Sequence, residues 1–223
     1  MGSYLNPGSA AFQGSLRSQI YIDKSGLIGK MNALLGTEQK YVCVSRPRRF
    51  GKSMAANMLS AYYDRDCDTR EFFDKLKISQ SEGYLEHLNQ YDVLKINMQD
   101  FLSGHSMDEM LEQLQKQVMK DLKIRYQEYA KEDNLIFVMR NIFSNTHHPF
   151  IILIDEWDCL FREYQQDKDA QKKYLDFLRF WLTDKDYIAL AYMTGILPIK
   201  KYGSHSALNM FMEYSMTDPG ELA

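Results

Sequence analysis

Four short β-prone runs, separated by stretches with helical spacing, constrain this chain more than any other feature of its sequence. They are Tyr41 to Val44, Val93 to Met98, Pro149 to Ile154 and Ile188 to Met193. Runs of this length and composition suit strands buried in a sheet, and strands that alternate with helices build a mainly parallel one. The intervening segments carry the matching helix signals. Ser106 with Glu109 has the spacing of a capping box, and Met107, Met110, Leu111, Leu114, Val118 and Leu122 recur every three or four residues. That periodicity predicts one long amphipathic helix reaching about Glu132, its methionines serving as core packing. Further helices are expected over 25–35, from Lys52 onward, over 135–143 and over 169–182, the last with Tyr174, Leu175, Leu178 and Trp181 on one face. Residues 64–91 are polar and read as short helices, whereas residues 1–20, rich in Gly, Ser and Asn, read as an irregular arm ahead of one domain over 21–223.

Composition agrees with an α/β domain and excludes several classes. With 223 residues, 45% hydrophobic and 26% charged, the chain can bury a sizeable core and is not intrinsically disordered. No stretch approaches the roughly 18 uninterrupted apolar residues of a membrane span, and the N-terminal residues lack a basic region followed by an apolar run, so a cytoplasmic protein is expected. The three cysteines are scattered without a C-x-x-C pair, which argues for reduced, mostly buried thiols and against zinc or redox chemistry. A net charge of −3 argues against a general polyanion-binding surface, although one local basic cluster stands out.

That cluster is Ser45-Arg46-Pro47-Arg48-Arg49-Phe50-Gly51-Lys52-Ser53, set between an expected strand and an expected helix. Its end matches the phosphate-binding loop G-x-x-x-x-G-K-[ST], while Arg46 stands where the first glycine belongs. Gly51 lets the backbone approach an anion, and the helix that follows points free N–H groups and its positive dipole end toward it. Lys52 is the residue to reach the β- and γ-phosphates, Ser53 the Mg²⁺ ligand, and Arg48 and Arg49 add positive charge. The candidate nucleotide-binding segment thus runs from Arg46 through Pro47, Phe50 and Ser53 to Met54.

Two further signals fit the same chemistry. Ile151 to Ile154 lead straight into Asp155-Glu156, the layout of a Walker B strand, in which an aspartate holds Mg²⁺ and a glutamate polarises the attacking water. Lys52 and Asp155 are separated by the expected strand at 93–98, as in P-loop ATPases with an additional strand. Thr194, at the end of the last run, is placed to sense the γ-phosphate or the lytic water. In open α/β sheets ligands bind beyond the carboxyl ends of the strands, where all this polar punctuation falls.

The strings YIDKSGLI at 21–28, VSRPRRFGKSM at 44–54, LIDEWD at 153–158 and MTGILPIKK at 193–201 resemble the AAA-ATPase-like proteins of bacteria and archaea over almost the whole chain. The resemblance implies a P-loop NTPase of the additional-strand class, similar to the signal-transducing and archaeal ATPases, with ATP and Mg²⁺ as ligands. It implies Lys52 and Ser53 on phosphate and magnesium, Asp155 on magnesium, Glu156 as water activator and Thr194 as sensor. It makes Tyr21, Ile22, Asp23 and Lys24 candidates for enclosing the nucleotide. It also implies a following nuclease-like domain of the PD-(D/E)XK type, ahead of which this chain stops.

Other constellations carry less. Asp23, Glu38 and Lys40 imitate a nuclease signature but fall in unsuited local contexts. Asp64, Asp66 and Asp68 imitate a calcium loop without its glycine and glutamate, so a solvated acidic turn is expected. His147-His148 reads as a surface loop and Lys200-Lys201 as a solvated basic turn; Trp157 and Asp158 follow the Walker B pair, where a loop faces the nucleotide in P-loop enzymes, although Trp157 itself reads as a packing residue. Beside slow ATP hydrolysis that controls another domain or partner, two readings stay open at this point. One is a nucleotide-dependent binding switch without hydrolysis; the other is nucleic-acid binding through Arg46, Arg48 and Arg49.

Overall fold

The structure, a computed structural model, describes residues 2–102, 106–199, 208–216 and 218. The expectation at Lys200 and Lys201 lies outside the described residues. Five strands form one parallel sheet: β1 (Tyr41–Ser45), β2 (Asp92–Asn97), β3 (Phe150–Asp155), β4 (Ile188–Gly195) and β5 (Met212–Tyr214), in the spatial order β2-β3-β4-β1-β5. The helices are α1 (Ala10–Leu16), α2 (Gly26–Asn32), α3 (Lys52–Tyr63), α4 (Arg70–Phe73), α5 (Tyr84–His87), α6 (Met107–Arg125), α7 (Leu135–Thr146), α8 (Cys159–Glu163) and α9 (Lys168–Leu182).

Strand periodicity divides the apolar side chains between two cores. Ile152, Ile154, Ala191 and Met193 pack with α6, α7 and α9 on one face, while Ile151, Leu153, Leu190 and Tyr192 pack with α1, α2 and α3 on the other. Coverage on both sides is why all six residues of β3 and all eight of β4 are buried, and why their sequences show no polar alternation.

β4 inserts between β1 and β3, pairing Ser45 with Gly195 on one side and Ile154 with Met193 on the other. The additional strand between the two motif strands is therefore β4, late in sequence. The run at 93–98 is instead the edge strand β2, next to β3 alone. β5 was not foreseen: three half-buried residues carry too little pattern to read.

Three expectations are corrected. Residues 2–20 are not an irregular arm but part of the folded unit. Asn6 exchanges hydrogen bonds with β2, its N–H donating to Val93 O (2.8 Å) and its Oδ1 accepting from Val93 N (2.7 Å). Phe12 of α1 stacks on Phe73 with ring centroids 5.1 Å apart. This segment covers the otherwise open edge of β2, a tertiary need that Gly- and Ser-rich composition does not announce. The helix expected to reach Glu132 stops at Arg125, because Arg125 and the Tyr126 hydroxyl turn to the buried Asp92. The acidic turn is solvated at Asp66 and Asp68, as expected, but not at Asp64, which is buried and accepts from Gly8 N (2.9 Å), stapling the N-terminal segment down.

Candidate functional site

The carboxyl ends of β1, β4 and β3 bring Ser45, Gly195 and Asp155 to one edge of the sheet, and the candidate residues gather there. The loop after β1 turns through left-handed backbone at Arg49 (φ 69°) and Gly51 (φ 77°) before α3 begins at Lys52. Alternating left- and right-handed residues point successive N–H groups into a concavity, and no side chain caps the first turn of α3. Arg46 has no positive φ, so a side chain is tolerated where the common motif has glycine. Its N–H donates to Gly195 O (3.0 Å) and joins the loop to β4. Lys52, almost buried, donates from Nζ to Pro47 O (3.1 Å).

A cleft of about 500 Å³ is lined by Arg48, Arg49, Gly51, Lys52, Ser53, Met54, Gln99, Glu156 and Arg162. A second hollow of about 500 Å³ lies on the other side of the loop, where Lys24, Leu27, Val44, Arg46, Phe50 and Tyr192 are among its walls. Lys52 and Gly51 belong to both. Lys24 Nζ donates to Phe50 O (3.0 Å), clipping the loop to the segment before α2. Of that segment, Tyr21 packs into the core and Ile22 is exposed. Asp23 accepts from Ser25 N and Lys77 N, both at 2.8 Å, and against the effect of burial the Ser25 side chain together with these bonds holds its carboxyl below the usual range.

Asp155 and Thr194 lie deeper. The Thr194 hydroxyl donates to Asp155 Oδ1, which also accepts from Glu156 N (3.1 Å). Burial lowers Lys95 on β2 from the ordinary lysine value, against the opposing pull of Asp155. Burial likewise raises Tyr192, with Cys43 and Asp155 adding to the effect. Glu156 itself takes a left-handed φ of 54°, which turns the chain out of β3 into α8.

The structure thus brings Arg48, Arg49, Gly51, Lys52, Ser53, Met54 and Glu156 to one cleft. Asp155 and Thr194 form a buried pair at its strand ends, Arg46 and Phe50 face the second hollow, and Pro47 contributes its carbonyl. Two residues of the site, Arg162 and Gln99, escaped the sequence reading. Asp158, fully buried, accepts from Ile196 N (3.1 Å) and Leu197 N (2.9 Å), fixing the turn after β4. Arg162 forms an ion pair with Glu156, and Gln99 lines the cleft from the turn after β2. The i,i+4 spacing of Asp158, just before α8, and Arg162 was the available sequence signal for the contact between those two side chains. Trp157 is buried packing, its ring 5.6 Å from that of Phe161. Among the described residues no group of three or more His, Cys, Asp and Glu could by itself hold a metal ion. No helix among the described residues is long and apolar enough to cross a membrane.

A loop of this geometry between β1 and α3, acidic residues ending β3 and a strand inserted between them define an α/β protein of the P-loop, ATPase type. The chain belongs to the AAA-ATPase-like family, described as predicted AAA-ATPase, whose profile matches residues 13–204. No curated protein matches the sequence. Among solved structures, the ORC2 protein of Aeropyrum pernix, in ADPNP–ADP complexes, is similar with a TM-score of 0.46 and 7% identity over 92% of this chain. The chain spans 50% of that protein's length.

Proposed function

We propose that the chain binds ATP with Mg²⁺ in the cleft at the start of α3, hydrolyses it slowly, and uses the nucleotide state to control another domain or partner. The observation that carries this reading is that the uncapped first turn of α3, reached through left-handed Arg49 and Gly51, lines one cleft together with Glu156. Helix N-terminal N–H groups suit phosphate oxygens, and Lys52, Arg48 and Arg49 supply the cations that a triphosphate needs.

Lys52 leaves the Pro47 carbonyl for the β- and γ-phosphates. The nucleoside occupies the second hollow beside Arg46 and Phe50, with Met54 on the phosphate side. The donor set fits magnesium, since Ser53 presents a hydroxyl at the cleft and Asp155 a carboxylate whose hydrogen bonds fall on Oδ1. When bound there, the ion supplies charge neutralisation to the transferring phosphoryl group. Glu156 orients the attacking water, and Thr194 holds the Asp155 carboxylate from behind.

Calorimetric titration with ATP and Mg²⁺, with phosphate release followed in the same samples, tests this. Lys52→Ala is expected to abolish measurable binding. Glu156→Gln is expected to keep binding and lower turnover by about 10² or more, the usual weight of general acid–base catalysis. A folded parent that binds no nucleotide overturns the reading, and Lys52-dependent binding without phosphate release converts it to a switch.

A further inference from the structure

Arg162 lines the same cleft as Lys52 and Ser53, yet its guanidinium is already committed to Glu156. Nη2 donates to Glu156 Oε2, and the two side chains retain only 19% and 18% exposure. Its Nε is buried without a hydrogen bond, 3.5 Å from Asp158 Oδ2, an oxygen that already accepts from Ile196 N and Leu197 N. The arginine therefore lines the cleft with one of its donors, Nε, lacking a hydrogen bond. Glu156 Oε2, meanwhile, is occupied by a cation when it should be holding water.

Both residues leave the end of β3 within one short segment, Glu156 at its left-handed turn and Arg162 on α8, so they reach the cleft from the same side. Guanidinium binds phosphate at least as readily as carboxylate, because the planar fork matches either while a terminal phosphate carries more charge.

Resting on the nucleotide reading above, we propose that Arg162 is a γ-phosphate sensor acting within its own chain. It holds Glu156 while the cleft lacks a terminal phosphate and exchanges that carboxylate for the γ-phosphate when a triphosphate enters. The exchange frees Glu156 for the attacking water and places a cation where charge develops. The water oxygen then bonds to the γ-phosphorus as the bond to the bridging oxygen breaks. ADP departs with that electron pair, and the water's proton passes by way of Glu156 to the released phosphate.

The test compares calorimetric affinities for MgATP and MgADP, together with phosphate release, in the parent chain, R162Q, R162K, E156Q and the E156Q/R162Q double variant. R162Q is expected to lose about tenfold in ATP affinity with ADP affinity unchanged, and turnover falls by about 10² or more, as when one transition-state donor is removed. R162K, keeping the charge without the fork, lies between. E156Q no longer competes as an anion for the guanidinium, so it binds ATP more tightly than the parent, and that gain disappears in the double variant. This coupling does not arise from a structural role, and the E156Q arm stands even where R162Q folds poorly. An R162Q variant with the parent's ATP-to-ADP affinity ratio, or with faster phosphate release, overturns the sensor and leaves nucleotide binding intact. A parent that binds no nucleotide overturns both.

Discussion

Gly195 ends β4 where a side chain has no room. A Cβ built there would lie 2.6 Å from Trp157 Nε1 and 2.7 Å from Asp158 Oδ1. Gly195→Ala must push Trp157 or Asp158 aside, and Asp158 holds the turn after β4. The expected cost is about 2–3 kcal/mol, the upper range for overpacking, read as a lowered urea midpoint with unchanged slope. Gly51 poses a different constraint. Its φ of 77° is one that side chains rarely adopt, and a Cβ would come within 3.1 Å of Lys24 Nζ. Gly51→Ala is expected to cost about 1–2 kcal/mol and to weaken nucleotide binding, which calorimetry and denaturation read separately. The GKS string announced Gly51, but nothing in the sequence around Gly195 announced its contacts, because Trp157 and Asp158 meet it only through the pairing of neighbouring strands.

Elements with a strong local signal formed where their residues indicated. The Ser106 hydroxyl accepts from Glu109 N while the Glu109 carboxylate accepts from Ser106 N (2.8 Å), so α6 starts where the capping box placed it. Its end was misjudged because the stop is a long-range bond to Asp92 and not a local breaker. The N-terminal segment shows the same limit. Asn6 makes hydrogen bonds to Val93 and, through Nδ2, to Asp92 (2.9 Å) and Asp66 (3.2 Å). Asn6→Ala is expected to destabilise the fold by about 2–3 kcal/mol, since it strips partners from buried groups, and to speed amide hydrogen exchange along β2. Unchanged exchange at Val93 would show that the segment does not protect the edge.

Across the whole molecule, burial of tyrosine governs the response to alkali. Tyr21 and Tyr62 are pushed up to about 12, both first by burial, and Tyr126 to about 12 by burial and then by Asp92. Their ordinary value lies near 10, so the folded state favours the protonated phenols. That stability is fully present below about pH 10 and is lost as pH rises through about 12, where these groups would ionise in the folded chain. Thermal melting at increasing pH is expected to fall steeply in this window, with tyrosinate absorbance rising together with unfolding. A melting temperature constant across the window, with absorbance rising alone, would refute it.

The sequence by itself determined the alternation of strands and helices, the phosphate-loop backbone at Gly51 and the acidic end of β3. Each depends on near neighbours, whether apolar periodicity, a glycine or a helix start. Tertiary structure alone decided that β4 is the inserted strand, that residues 2–20 close the β2 edge, and that Glu156 faces Arg162. Those outcomes depend on which surfaces meet once two cores close on the sheet, and pairings between distant residues leave no period in the chain.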